Sequence, residues 1–155
     1  MVRYTANGTA SEDDEEHVLS DYCDVRGWRH THFSNEMYTT SWKQKHKMKY
    51  LGVEAGLPDH FIILKRKTGE FIPVYIEMKR KKGGSLSDAQ HIWIQTLRLA
   101  NQYVTVCEGG EEAIEFLEAV EKNDEKIIQK YFEKFNKKHE KWLKNQEKQK
   151  NDCPF

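Results

Sequence analysis

Two carboxylates and an amine within one short stretch are the residues of this chain best suited to chemistry. The segment Val74-Tyr75-Ile76-Glu77-Met78-Lys79 has the composition of a β-strand. Strand side chains alternate, so Glu77 and Lys79 share a face with Tyr75 while Val74, Ile76 and Met78 take the other. Upstream, Gly56-Leu57-Pro58-Asp59 places an aspartate at the entry to a second apolar run, His60 to Leu64. There Pro58 fixes the local backbone and Gly56 permits a tight approach. If the two runs pair as a hairpin through the turn Lys67-Thr68-Gly69-Glu70, Asp59 comes near Glu77. Two carboxylates held together repel, and a divalent cation with hard oxygen ligands relieves the repulsion. Mg²⁺ suits such a site and keeps several of its waters. A lysine beside that ion orients or polarises an attacking water.

The elements that must hold these groups are legible from periodicity. After a lead-in over residues 1–10, Glu12, Glu16, Leu19 and Cys23 follow helical spacing and predict a helix over 12–25 that Gly27 ends. Trp28 to Phe33 has the length and aromatic content of a strand, and the Lys-rich stretch from Ser41 to Leu51 suits a short helix. The hairpin strands, 60–64 and 72–79, come next. Gly83-Gly84 breaks the chain, and Ser87 caps a helix carrying Ala89, Trp93, Leu97 and Ala100. A strand over 103–107 is followed, past Gly109-Gly110, by a helix with Ala113, Ile114, Leu117 and Val120 on one face. Residues 124–150 lack Gly and Pro and predict a long charged helix whose order fades from Asn145. Its stripe of Ile127, Ile128, Tyr131, Phe132 and Phe135 needs a covering surface, the protein's own sheet or a second subunit before a foreign partner. The sum is an α/β fold, a mixed central sheet flanked by helices, with a long helical C-terminal extension.

Composition narrows the function classes. The 155 residues suit one domain. Lys+Arg and Asp+Glu are equal at 25 each, so no overall field attracts a polyanion. The charge is nevertheless segregated: acids dominate 1–40 and 101–122, bases dominate 41–100. Within the basic segment, Lys43, Lys45, Lys47 and Lys49, and then Arg80, Lys81 and Lys82, are placed to meet phosphates, although part of such a run is ordinary solvated surface. There is no apolar run of roughly 20 residues and no signal-peptide core, which predicts a cytoplasmic protein with no membrane partner. Three widely spaced cysteines fit reduced thiols rather than a disulfide framework or a zinc ribbon.

Asp59 followed by Glu77-Met78-Lys79 resembles the Asp…(Asp/Glu)-x-Lys signature of the PD-(D/E)xK, or restriction-endonuclease-like, nucleases. More narrowly, Gly52-Val-Glu-Ala-Gly-Leu-Pro-Asp59, Ile76-Glu-Met-Lys-Arg80, Leu86-Ser-Asp-Ala-Gln90 and Tyr103-Val-Thr-Val-Cys107 resemble successive blocks of the VRR-NUC family, in particular its small stand-alone phage-type members. The resemblance spans roughly residues 11–120, with 121–155 as an extension beyond it. It implies a metal-dependent DNA endonuclease, with branched DNA among its substrates. The cofactor would be Mg²⁺ or Mn²⁺, with no nucleotide cofactor. It also implies a homodimer, and residence in the host cytoplasm if the gene is phage-borne. Asp59, Glu77 and the main-chain carbonyl of Met78 take the metal-binding roles, Lys79 the catalytic lysine, and Gln90 the glutamine of the following helix. An acidic residue of the first helix completes the set, Glu12 or Glu16, which share a helix face.

Each assignment has a plainer competitor. Ser87-x-x-Gln90 is a capping box, a role compatible with the catalytic one. Acids near a helix start suit the helix dipole. His30-x-His32 offers two imidazoles on one strand face but no third ligand nearby in sequence, and His60 reads as lining or packing rather than ligating. Trp28, Trp42 and Trp93 read as core or interface positions rather than base-stacking platforms. The rival functions are a nucleic-acid-binding module that keeps the fold without cutting, and a protein that blocks a partner through its last helix.

Overall fold

The computed structural model describes residues 12–33, 41–81 and 84–151, the side chains of 12, 13 and 151 excepted. Lys82 and the 1–10 lead-in lie outside the described residues. In chain order the elements are α1 (Glu12–Arg26), β1 (Arg29–His32), α2 (Trp42–Tyr50), β2 (His60–Lys65), β3 (Phe71–Lys79), α3 (Asp88–Leu99), β4 (Tyr103–Glu108), α4 (Gly110–Lys122) and α5 (Glu125–Asn151).

The strands form one mixed sheet in the order β1-β2-β3-β4. β1 and β2 pair antiparallel, as do β2 and β3, while β3 and β4 run parallel. The β2–β3 hairpin closes where Arg66 N–H donates to Glu70 O at 2.8 Å and Gly69, at φ 91°, turns the chain. The parallel partner β4 needs a crossover, which α3 supplies. This is the mixed α/β sheet flanked by helices that the periodicity predicts.

Alternation divides the core between the two faces. Ile62, Leu64, Val74, Ile76 and Met78 are buried against Leu19 and Cys23 of α1 and Ala113, Phe116 and Leu117 of α4. On the other face Val104 and Val106 bury Ile94 of α3 and Phe135 of α5. Along α5 the apolar stripe is covered by the protein itself: Ile128 and Tyr131 are 1% exposed and Phe135 is fully buried. Thr105 Oγ1 donates to Tyr131 O at 3.4 Å.

Two expectations are narrowed by the structure. Trp42 is 76% exposed and lies over the His46 ring, centroids 3.9 Å apart. It belongs to no core, since α2 has no buried residue, which leaves the interface alternative. Trp28 is the buried one, at 5% exposure. The last helix also continues without a break past Asn145 to Asn151, since Lys, Gln and Glu are good helix formers and nothing there interrupts them. Cys23 and Cys107 are buried free thiols. Among the described residues, no helix is long and apolar enough to cross a membrane.

Candidate active site

The hairpin register decides which acids meet. His60 is paired with Ile76, so the preceding Asp59 falls opposite Glu77. The Asp59 carboxylate is close enough to act on Glu77, whose pKa is pushed up to about 8, first by burial and next by that neighbouring charge. Glu77 is fully buried. Oε1 accepts from Lys79 Nζ at 2.5 Å and from Gln90 Nε2. Oε2 is buried with no hydrogen-bond partner. An orphaned carboxylate oxygen in a dry site is costly, and a second carboxylate nearby compounds the cost.

Gln90 caps its helix and also reaches Glu77. Ser87 Oγ accepts from Gln90 N–H at 3.2 Å, and Gln90 Oε1 accepts from Ser87 N–H at 2.9 Å, a complete capping box. Since the amide oxygen is committed to the cap, the amide NH₂ is aimed at Glu77. The cap thereby acts as a positioning device. Gly56 contributes at the same junction: at φ 97° it lies so close to α3 that an added Cβ would stand 2.5 Å from Ala89 C. Only glycine permits that approach. The loop bearing Asp59 is thus seated on the helix that bears Gln90.

The other sequence-derived candidates separate. Met78 is fully buried in the core, which leaves its main chain as its only contribution at the sheet end. Lys43, Lys45, Lys47 and Lys49 are all exposed along α2. Arg80 is exposed, while Lys81 Nζ meets Glu15 Oε1 at 3.1 Å, a contact that raises the lysine's pKa. Glu15 Oε2 also accepts from Gly110 N–H at 2.7 Å, at the start of α4 where the helix dipole favours an anion. Glu15 is therefore engaged in joining α1 to α4. Of the first-helix pair, Glu16 Oε2 lies 3.7 Å from His32 Nε2, while the Glu12 side chain lies outside the described residues.

His30 and His32 do not act together. His30 Nε2 pairs with Asp24 Oδ1 at 2.9 Å, whereas His32 stacks on His60, ring centroids 4.8 Å apart. Burial, aided by the two neighbouring imidazoles, lowers the His60 pKa to about 4 and keeps its ring neutral. The meeting of His32, His60 and Glu16 escapes sequence reasoning because it needs the β1–β2 register. Alternation within each strand is its only trace.

The mixed four-stranded sheet thus gathers Asp59, Glu77 and Lys79 at one end, with a helix glutamine on the Glu. The VRR-NUC domain profile matches residues 10–111, and the chain belongs to that family. A solved structure described as a VRR_NUC domain protein is similar in fold, with a TM-score of 0.52 and 21% identity, over 79% of this chain and 88% of that one. No curated protein matches the sequence.

Proposed function

We propose that the protein is a metal-dependent DNA endonuclease that hydrolyses phosphodiester bonds at the Asp59–Glu77–Lys79 site. The observation that carries this reading is a fully buried Glu77 whose Oε2 has no hydrogen-bond partner, with the Asp59 carboxylate near enough to raise its pKa. The donor set is two hard carboxylates with a strand carbonyl between Glu77 and Lys79, which fits Mg²⁺ or Mn²⁺. Asp59, Glu77 and the Met78 carbonyl would hold the ion. When bound, it lowers the pKa of water and neutralises charge on phosphate oxygens. Lys79, held by Glu77, orients the nucleophile and offsets negative charge that develops on the phosphate. Gln90, locked by its cap, holds Glu77 by its Oε1. Glu16 or Glu12 supplies the first-helix acid that the family resemblance implies.

The exposed lysines of α2 and Arg80, Lys81 and Lys82 are proposed to contact the DNA backbone, which makes binding tolerant of sequence and sensitive to salt. The reading extends to branched DNA as a substrate and to a homodimer that presents two sites. Cleavage of plasmid, single-stranded, flap and four-way-junction DNA, with and without Mg²⁺ or Mn²⁺, tests it. The expected result is metal-dependent cutting that Lys79→Ala lowers at least about 10²-fold while Mn²⁺ binding is retained. Wild-type rates in that folded variant would remove Lys79 from the catalytic set.

A further inference from the structure

Directly across the hairpin from the acid–lysine site, on the other face of the sheet, three metal-ligating side chains converge. His32 is the last residue of β1 and His60 the first of β2, and the two are register partners, so their rings leave the sheet on the same side. Glu16 reaches them from α1. One donor atom from each of the three lies within 4.8 Å of the others, and Glu16 Oε2 is 3.7 Å from His32 Nε2. His60 faces Ile76, whereas Glu77, one residue further on, projects from the opposite face. The cluster is therefore separate from the pair that meets Asp59.

A stacked histidine pair beside a carboxylate is also how such residues simply pack. A second observation argues for a ligand. His60 is 4% exposed, and its Nε2 is buried with no hydrogen-bond partner, although buried polar atoms are nearly always satisfied. Its neighbours in the cluster are the natural co-ligands for whatever satisfies it.

We propose that Glu16, His32 and His60 form a second metal centre that takes a zinc-class transition ion. Two imidazoles and one carboxylate are the wrong donors for Mg²⁺, which selects oxygen, and the right ones for Zn²⁺, which binds His and Glu at about 2.0–2.2 Å in tetrahedral sites. The donors, within 4.8 Å of one another, must turn inward to reach those bond lengths. Three protein ligands leave a fourth position for water. The site ties α1 and the edge strand β1 to β2 immediately beside Asp59, so the ion acts as a clamp on the strand that enters the acid–lysine site. With Glu16 in this cluster, Glu12 remains the first-helix acid of the nuclease reading, and the inference does not depend on cleavage.

Co²⁺ is a suitable probe, because a four- or five-coordinate site with imidazole ligands gives an intense visible absorption that a six-coordinate oxygen site does not. The tag-free full chain is titrated with Co²⁺ and, separately, melted with and without Zn²⁺. The expected result is an intense Co²⁺ band in the wild type and in Glu77→Gln, displaced by Zn²⁺ and lost in His32→Ala and in Glu16→Gln. Zn²⁺ should raise the melting temperature of the wild type and leave that of His32→Ala unchanged. His32 is a partly exposed residue whose removal spares the core, and His60→Ala, at a buried position, is not needed. An absent or weak band in the wild type, or a band or Zn²⁺-induced shift that survives in folded His32→Ala, would overturn the proposal. Absence of metal-dependent cleavage by the wild type, with its band intact, would count against the nuclease reading alone.

Discussion

Glu77 carries an electrostatic cost that is measurable without DNA. Its ordinary pKa of 4.5 rises to about 8 in the folded chain, through burial first and Asp59 second. Between those values the folded state binds a proton that the unfolded state has released. The metal-free protein therefore loses stability as pH rises through this window, and the loss is complete above about 8. Glu77→Gln removes the titrating group, so at pH 8 the metal-free variant should melt a few degrees higher than wild type, with the gap closing toward pH 5. Thermal melts across pH in chelator check this, and a gap that does not depend on pH would mean that Glu77 is compensated within the protein. The His60 imidazole has the opposite sign. Held neutral down to about 4, it contributes stability above pH 6.5 that is lost as pH falls toward 4. At this scale the sequence reveals which face Glu77 occupies but not its complete burial, because alternation assigns a side and says nothing of what covers it. Here Gln90 of α3 lies on it, its amide NH₂ donating to Glu77 while its amide oxygen serves the cap.

The elements that brace the site include one beyond the segment that matches the family. Arg98 of α3 donates to Phe132 O at 3.0 Å and to Asn136 Oδ1 at 2.7 Å. Trp142 donates to Asp88 Oδ1 at 2.6 Å and stacks on His91, with ring centroids 4.9 Å apart. At the sheet end, Lys138 reaches Glu108 Oε1 at 3.0 Å. The helix α5 is thus a buttress for α3, the helix that presents Gln90, and its apolar stripe completes the core. Truncation after Glu121 should abolish cooperative unfolding, because Phe116, Ile94 and Thr105 lose their cover. Truncation after Gln146, which keeps Trp142, should hold the melting temperature within about 2 °C. Calorimetry of the two truncations checks both, and a cooperative melt of the shorter one would contradict the buttress. Helices, the β2–β3 hairpin and the capping box were readable because each is set by local chemistry. The Glu16–His32–His60 meeting and the exposure of Trp42 were not, since each depends on which distant elements come to lie beside the residue.

At the scale of the whole molecule, equal numbers of acids and bases leave DNA binding to the distribution of charge. Several acids are engaged within the protein, as with Glu15 on Gly110 and Lys81 and Glu108 and Glu112 on Lys138 and Lys134. The lysines of α2 remain exposed. Changing Lys43, Lys45, Lys47 and Lys49 to Gln should weaken binding to all DNA sequences alike. It should also flatten the dependence of log affinity on log salt by up to about 0.9 per lysine. Fluorescence anisotropy over a salt series checks this, and an unchanged slope would move the DNA path away from α2.

The central claim is that Asp59 and Glu77 together hold the ion that makes cleavage happen. Its most direct test is the rate of Mg²⁺-dependent plasmid nicking by wild type, Asp59→Asn and Glu77→Gln at one pH, with folding of each verified by its melt. Nicking by the wild type alone is the predicted result, with both variants at least about 10²-fold slower and both deficient in Mn²⁺ binding by calorimetry. Equal nicking by wild type and either folded variant, or nicking that persists in chelator, would contradict the claim.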